Sequence, residues 1–202
     1  MVGGVVIAAV AIALFFAFRG SGNSNASSPA TSPNKYPAVQ GNLPGLQKGK
    51  APWPPEYANL SFRLSDIGFP ILGGEQLTYH VHQHLDIYVN GKKEPVPQYV
   101  GINPGANYLT QLHTHDSSGI VHVEADKNRG FVLGQFFDVW GVRFTKTCLG
   151  AYCNDIKVYV DGKRWVGNPR LVPLKNHEEI AIVIGKAPKK IPKTWPFVKN
   201  GY

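Results

Sequence analysis

Three histidines spaced two apart, His80, His82 and His84, lie in the stretch Thr78–Val89, Thr-Tyr-His-Val-His-Gln-His-Leu-Asp-Ile-Tyr-Val. At the two-residue period of a β-strand, Thr78, His80, His82, His84, Asp86 and Tyr88 share one face. Leu77, Tyr79, Val81, Leu85, Ile87 and Val89 share the other, with only Gln83 interrupting the apolar run. Imidazoles two residues apart on a strand stand about 7 Å from one another, near enough for neighbours to share a metal ion. Outward alternation on a half-solvated strand accounts for polar residues here. It does not account for histidine three times in succession in a chain that has seven.

Leu109–Ala125 brings three more: Leu-Thr-Gln-Leu-His-Thr-His-Asp-Ser-Ser-Gly-Ile-Val-His-Val-Glu-Ala. Read as a hairpin turning at Ser117-Ser118, with a loop of two or four residues, it sets His113 opposite His122 and Gln111 opposite Glu124. His113, His115, His122 and Glu124 then share one face, and Leu112, Thr114, Val121, Val123 and Ala125 the other. A loop one residue longer would scatter the histidines, because side-chain direction alternates residue by residue. Two separate segments that both turn histidine away from the core point to a metal site built from His80, His82, His84, His113, His115, His122 and Glu124.

A tetrahedral ion takes four ligands, so six imidazoles imply either two ions or two outer-sphere histidines. Imidazole with a nearby carboxylate suits zinc or copper(II). Met1 is the only methionine and no cysteine pair lies near these segments, which argues against a copper(I) carrier. Binding or delivery of the ion competes with catalysis, in which Glu124, Asp116 or Asp86 would serve as base beside a metal-bound water. No nucleophile motif or phosphate loop is visible. A third role is that of an accessory subunit in a membrane complex.

The elements that position these residues read as an all-β domain, a single antiparallel sandwich or small open barrel of about eight strands with one short helix. Sixteen prolines and twenty-two glycines among 202 residues favour short strands and turns over long helices. Leu60–Ser65 reads as a first strand. Asn90-Gly91 closes the histidine strand in a two-residue type I′ hairpin, and Asp161-Gly162 repeats that signal after Ile156–Val160. Pro95 and Pro97 consign the return strand to an edge. Leu133–Trp140 reads as one or two helical turns with Leu133, Phe136, Phe137 and Trp140 inward and Gly141 as its stop. His177–Gly185 reads as a turn and then a buried strand, with His177 itself a solvated turn residue.

Residues 1–18 carry no charge before Arg19, and no small-x-small cleavage site follows. The expectation is an uncleaved transmembrane signal anchor over residues 1–19. The positive-inside rule alone gives Arg19 the wrong sign for export, but long domains translocate largely regardless of such charges. Cys148 and Cys153, the two cysteines, read as a disulfide around a small loop in an oxidising compartment, which places the soluble domain outside the cytoplasm. Residues 20–56, rich in Ser and Pro, read as a tether, residues 57–187 as the histidine-rich β domain, and residues 188–202 as a basic, aromatic tail. The net charge of +8 is dispersed, with no arginine-rich block, so nucleic acid is not an expected partner. The membrane, reached through residues 1–18, is.

His-x-His-x-His-Leu-Asp-Ile-x-Val-Asn-Gly, Leu-His-Thr-His-Asp-x-x-Gly-Ile-x-His-x-Glu and Leu-Gly-Gln-Phe-Phe-Asp-x-Trp-Gly together resemble an uncharacterised family of prokaryotic exported or membrane-anchored proteins, over roughly residues 75 to 185. The resemblance implies a coherent module and no mechanism. Fragments are similar to two better-known families. His80-Val81-His82 resembles the His-Val-His of copper-zinc superoxide dismutases, whose other motifs are missing. Cupins also place His-x-His and Glu on barrel strands, but at a spacing that this chain lacks.

Overall fold

The computed structural model describes Met1 and residues 41–202; the expected anchor and the first part of the tether lie outside the described residues. Among the described residues no helix is long and apolar enough to cross a membrane. Helix α1 spans Leu60–Ile67 and α2 spans Leu133–Trp140. Strands β1 (Tyr79–Val89), β2 (Lys92–Glu94), β3 (Ile102–Asn103), β4 (Tyr108–Leu109), β5 (Leu112–His113) and β6 (Ile120–Ala125) precede α2. After it come β7 (Cys148–Leu149), β8 (Tyr152–Cys153), β9 (Ile156–Val160), β10 (Lys163–Arg164) and β11 (Glu179–Ile184).

The architecture is mainly β, built on one open sheet ordered β10-β9-β11-β1-β6-β5, with β2 also paired to β1. The long β1 organises it. Its first half pairs antiparallel with β6, its last residues with β2, and its other edge with β11. The β1–β11 pair is parallel, so the sheet is mixed where a wholly antiparallel one was expected. Among the described residues neither a closed barrel nor a sandwich forms. Helices and loops, rather than a second large sheet, cover the apolar face: α2 packs on β5, and α1 packs on α2.

That face follows the expected alternation. Leu85, Ile87 and Val89 of β1, Val121, Val123 and Ala125 of β6, and Leu112 of β5 all enter the core. Gln83 is buried among them and donates its side-chain N–H to the Val121 carbonyl, while its Oε1 is buried without a partner. Leu77 precedes the strand and is exposed. Both hairpins have the positive φ values that a type I′ turn demands, at Asn90 and Gly91 and at Asp161 and Gly162. Cys148 and Cys153 form a disulfide across the β7–β8 pair.

Two segments depart from the sequence reading. Leu60–Ser65 belongs to a helix, not a strand. Leu60, Phe62 and Leu64 mimic a period of two, but Phe62 is exposed, while Leu60, Leu64 and Ile67 are buried at helical spacing and Gly68 ends the helix in the left-handed region. The second is the stretch assigned to the tether. Leu43 and Trp53 are core residues, and Gln47 pairs with Val142, so the folded unit begins well before residue 57. Trp53 meets Trp140 edge to face at 6.2 Å. Arg63, wholly buried, ties this segment down through Glu56, the carbonyls of Pro44 and Glu56, and the Val139 carbonyl of α2. All of α2 is buried, including Asp138, which forms an ion pair with Arg170 at 2.6 Å.

Candidate metal centre

The sheet sets three histidines in a row across three adjacent strands. His82 of β1 lies opposite His122 of β6, which lies opposite His113 of β5. One step along, His80 is opposite Glu124. Neighbouring strands are about 4.8 Å apart, and the rings keep that spacing: 4.5 Å between His82 and His122, 5.2 Å between His122 and His113. His115 follows β5 in extended chain, held because Thr114 exchanges backbone hydrogen bonds with Tyr99 and Val100. Its ring stands 4.5 Å from that of His122. The turn back to β6 depends on Gly119, at φ +97°, where a Cβ would stand 2.8 Å from the Leu85 carbonyl oxygen and 2.9 Å from His84 Nε2.

Donor atoms converge here. His113 Nε2 lies 3.2 Å from His115 Nε2 and 3.4 Å from Glu124 Oε1, and His122 Nδ1 lies 3.3 Å from that same oxygen. With metal–nitrogen bonds of about 2.0–2.1 Å, a tetrahedron has edges of about 3.3–3.4 Å. The three separations match those edges. One donor atom from each of His113, His115, His122 and Glu124 falls within 4.8 Å of the others. His113 is oriented for this: a carbonyl can only accept, so Nδ1 donates to Thr110 O at 2.8 Å and the lone pair of the neutral ring sits on Nε2. Both ring nitrogens of His122 and both carboxylate oxygens of Glu124 are buried with no hydrogen-bond partner. Uncompensated burial of four polar atoms is costly, and a cation among them would satisfy it.

The electrostatics point the same way. Burial lowers the pKa of His82 to about 4, helped by the neighbouring His122 and His80. Burial is also the main cause of the lowered values of His115 and His122. Glu124 would be raised by its burial, but the imidazoles of His113 and His122 outweigh this and hold it well below the usual carboxylate range. Neutral imidazoles at His82, His115 and His122 beside an ionised Glu124 are the protonation state that a metal requires. The cluster could hold a divalent cation.

The structure separates His84 from this cluster. In register with Glu179 of β11, it sets Nδ1 2.8 Å from Glu179 Oε2 and Nε2 3.0 Å from the Ser118 carbonyl, under the stacked ring of Trp195 at 5.1 Å. Asp86 joins it and Glu179 in a second group of possible ligands, but both His84 nitrogens are already engaged. Burial raises the pKa of Glu179 against the pull of His84, and the trio braces the hairpin turn against β11. His177 is the exposed turn residue expected, outside the cluster; its ring stacks on Phe197 at 4.7 Å and its backbone N–H donates to the His82 carbonyl.

Three neighbours of the cluster escaped sequence reasoning. Glu75 Oε1 lies 3.4 Å from His115 Nε2, outside either strand pattern. The Thr110 carbonyl, which orients His113, leaves no mark in side-chain chemistry. Tyr202 places its ring 5.1 Å from His82 and 5.7 Å from His122, so the end of the tail packs on the site. No protein-family model matches the chain, and neither curated proteins nor solved structures yield a match.

Proposed function

We propose that this chain is a membrane-anchored, extracytoplasmic metal-binding protein that holds zinc or copper(II) through His113, His115, His122 and Glu124. The observation that carries the reading is the group of four donors within 4.8 Å of one another, three of their separations at tetrahedral edge length, around buried atoms without hydrogen bonds. Zinc and copper(II) fit a set of three imidazoles and one carboxylate; the hard cations, which prefer all-oxygen shells, do not. The uncharged segment before Arg19 supports the anchor, and the Cys148–Cys153 bridge supports the placement outside the cytoplasm. A second reading, a metal-dependent oxidoreductase or hydrolase at the same centre, is favoured by one feature. The His115 and His80 side chains are 37% and 30% exposed, so solvent reaches the ion's edge, as catalysis needs.

Elemental analysis of the purified full chain tests the core of the proposal. Stoichiometric zinc or copper is the expected result, with a rise in unfolding temperature on loading. Protein that arrives free of metal and takes up neither ion would overturn it. The pH dependence is also fixed in sign. Histidines whose folded pKa lies below 6.5 keep their lone pairs on acidification, so the ion should be released at lower pH than from an oligohistidine peptide. In the metal-free protein the same depression means that the unfolded chain binds more protons between pH 6.5 and about 4. Stability should therefore fall as pH drops through that window.

Placement is tested separately. Intact cells treated with a membrane-impermeant reductant and then a thiol probe should label Cys148 and Cys153 without lysis. Labelling that appears only after permeabilisation would count against export.

A further inference from the structure

The four-donor centre leaves two imidazoles unexplained. His80 and His82 are not bystanders on a distant part of the strand: their rings are 4.5 Å apart, and His82 meets His122 edge to face at 4.5 Å. A nitrogen from each of His80, His82 and His122 falls within 4.8 Å of the other two. His122 therefore belongs to two sets of donors at once. It stands in the middle of the three-strand row, with Nδ1 turned toward Glu124 and with both ring nitrogens buried and free of hydrogen bonds. A histidine that merely positions a ligand would spend one nitrogen on a hydrogen bond to it. His80 Nε2 comes within 3.1 Å of Glu124 Oε1, yet that oxygen has no hydrogen-bond partner, so His80 is not placed to serve as such a support.

We propose that the centre is dinuclear, with His122 as the shared ligand: Nδ1 on the ion held by His113, His115 and Glu124, and Nε2 on a second ion held by His80 and His82. This rests on the metal-binding reading of the first centre. Occupation of both nitrogens requires the ring to give up its one N–H proton to solvent, leaving an imidazolate whose negative charge sits between two cations. That charge adds to the charge of Glu124 in compensating the two cations. The second position lies on the side of the partly exposed His80 and of the Tyr202 ring, so it exchanges with solvent more readily and is vacated first by a chelator.

The test is a copper(II) titration of the chelator-stripped full chain in detergent, with bound metal counted and followed by electron paramagnetic resonance. The expected result is two ions per chain taken up in sequence, with the signal per copper falling as the second enters, because an imidazolate couples the two spins. His82→Ala, a change at a half-exposed position, should bind one ion with an uncoupled signal. His122→Ala, checked for folding by circular dichroism, should lose the second ion and weaken the first. A wild type that binds one ion, kept by His82→Ala, would overturn the dinuclear proposal and leave the first centre standing. Two ions with independent signals would refute the shared histidine. Absence of any bound metal would sink the underlying reading as well.

Discussion

Glu124→Gln abolishes tight metal uptake, an effect far larger than any change it makes to the stability of the metal-free domain. The carboxylate is wholly buried, no hydrogen bond compensates either oxygen, and three imidazole nitrogens from His80, His113 and His122 lie 3.1–3.4 Å from Oε1. In the empty protein His113 and His122 favour the ionised carboxylate despite its burial, so a neutral amide of the same shape loses that attraction together with the desolvation it offsets. In the loaded protein the charge is a direct ligand. Loss of an outer-shell partner costs about 10–100-fold in affinity, so loss of the ligand itself should cost about a hundredfold or more. Competition against a chelator of known strength measures the affinity, and thermal unfolding with and without metal measures the stability. A Glu124→Gln protein that melts several degrees lower when empty and binds metal as well as the wild type would show that Glu124 is a structural residue.

Arg63→Ala unfolds the domain most readily of the changes away from the site. The guanidinium is wholly buried, pairs with Glu56 and reaches the carbonyls of Pro44, Glu56 and Val139. It thereby joins the segment before α1 to both helices. Removing one member of a buried pair costs about 3–5 kcal/mol, here near the lower figure because Glu56 is 20% exposed and regains water. For a chain of this size that is a fall of about 10 °C in unfolding temperature. Urea unfolding followed by tryptophan fluorescence reports it directly, since Trp53 and Trp140 lie in the affected layer. A loss under about 1 kcal/mol would mean that the 41–56 segment docks independently of Arg63.

Much of the candidate site was written in local pattern. The two-residue period of Tyr79–Val89 fixes which side chains leave the core together, and the observed register of His113 against His122 is the one that the phase of the two arms demands. The turn signals at Asn90-Gly91 and Asp161-Gly162 and the helix at Leu133–Trp140 are equally local. They depend on φ preferences and on spacings of a few residues, which a sequence carries explicitly. The false strand at Leu60–Ser65 marks the limit of that method. Eight residues contain too few turns to distinguish Leu60-x-Phe62-x-Leu64 from Leu60-x-x-x-Leu64-x-x-Ile67, and packing against α2 decided for the helix.

By itself, then, the sequence determined the composition of the site: which residues could bind a cation, and that alternation would turn them to one face. Only the tertiary structure decided which of them meet. His80, His82 and His84 are equivalent by spacing, but the parallel pairing of β1 with β11 puts Glu179 beside His84 alone and takes both of its nitrogens out of the cluster. The antiparallel pairing of β1 with β6 sets His82 and His80 against His122 and Glu124 instead. Strand order is a long-range choice, settled by how the apolar faces of distant segments bury one another, and no spacing within a strand encodes it.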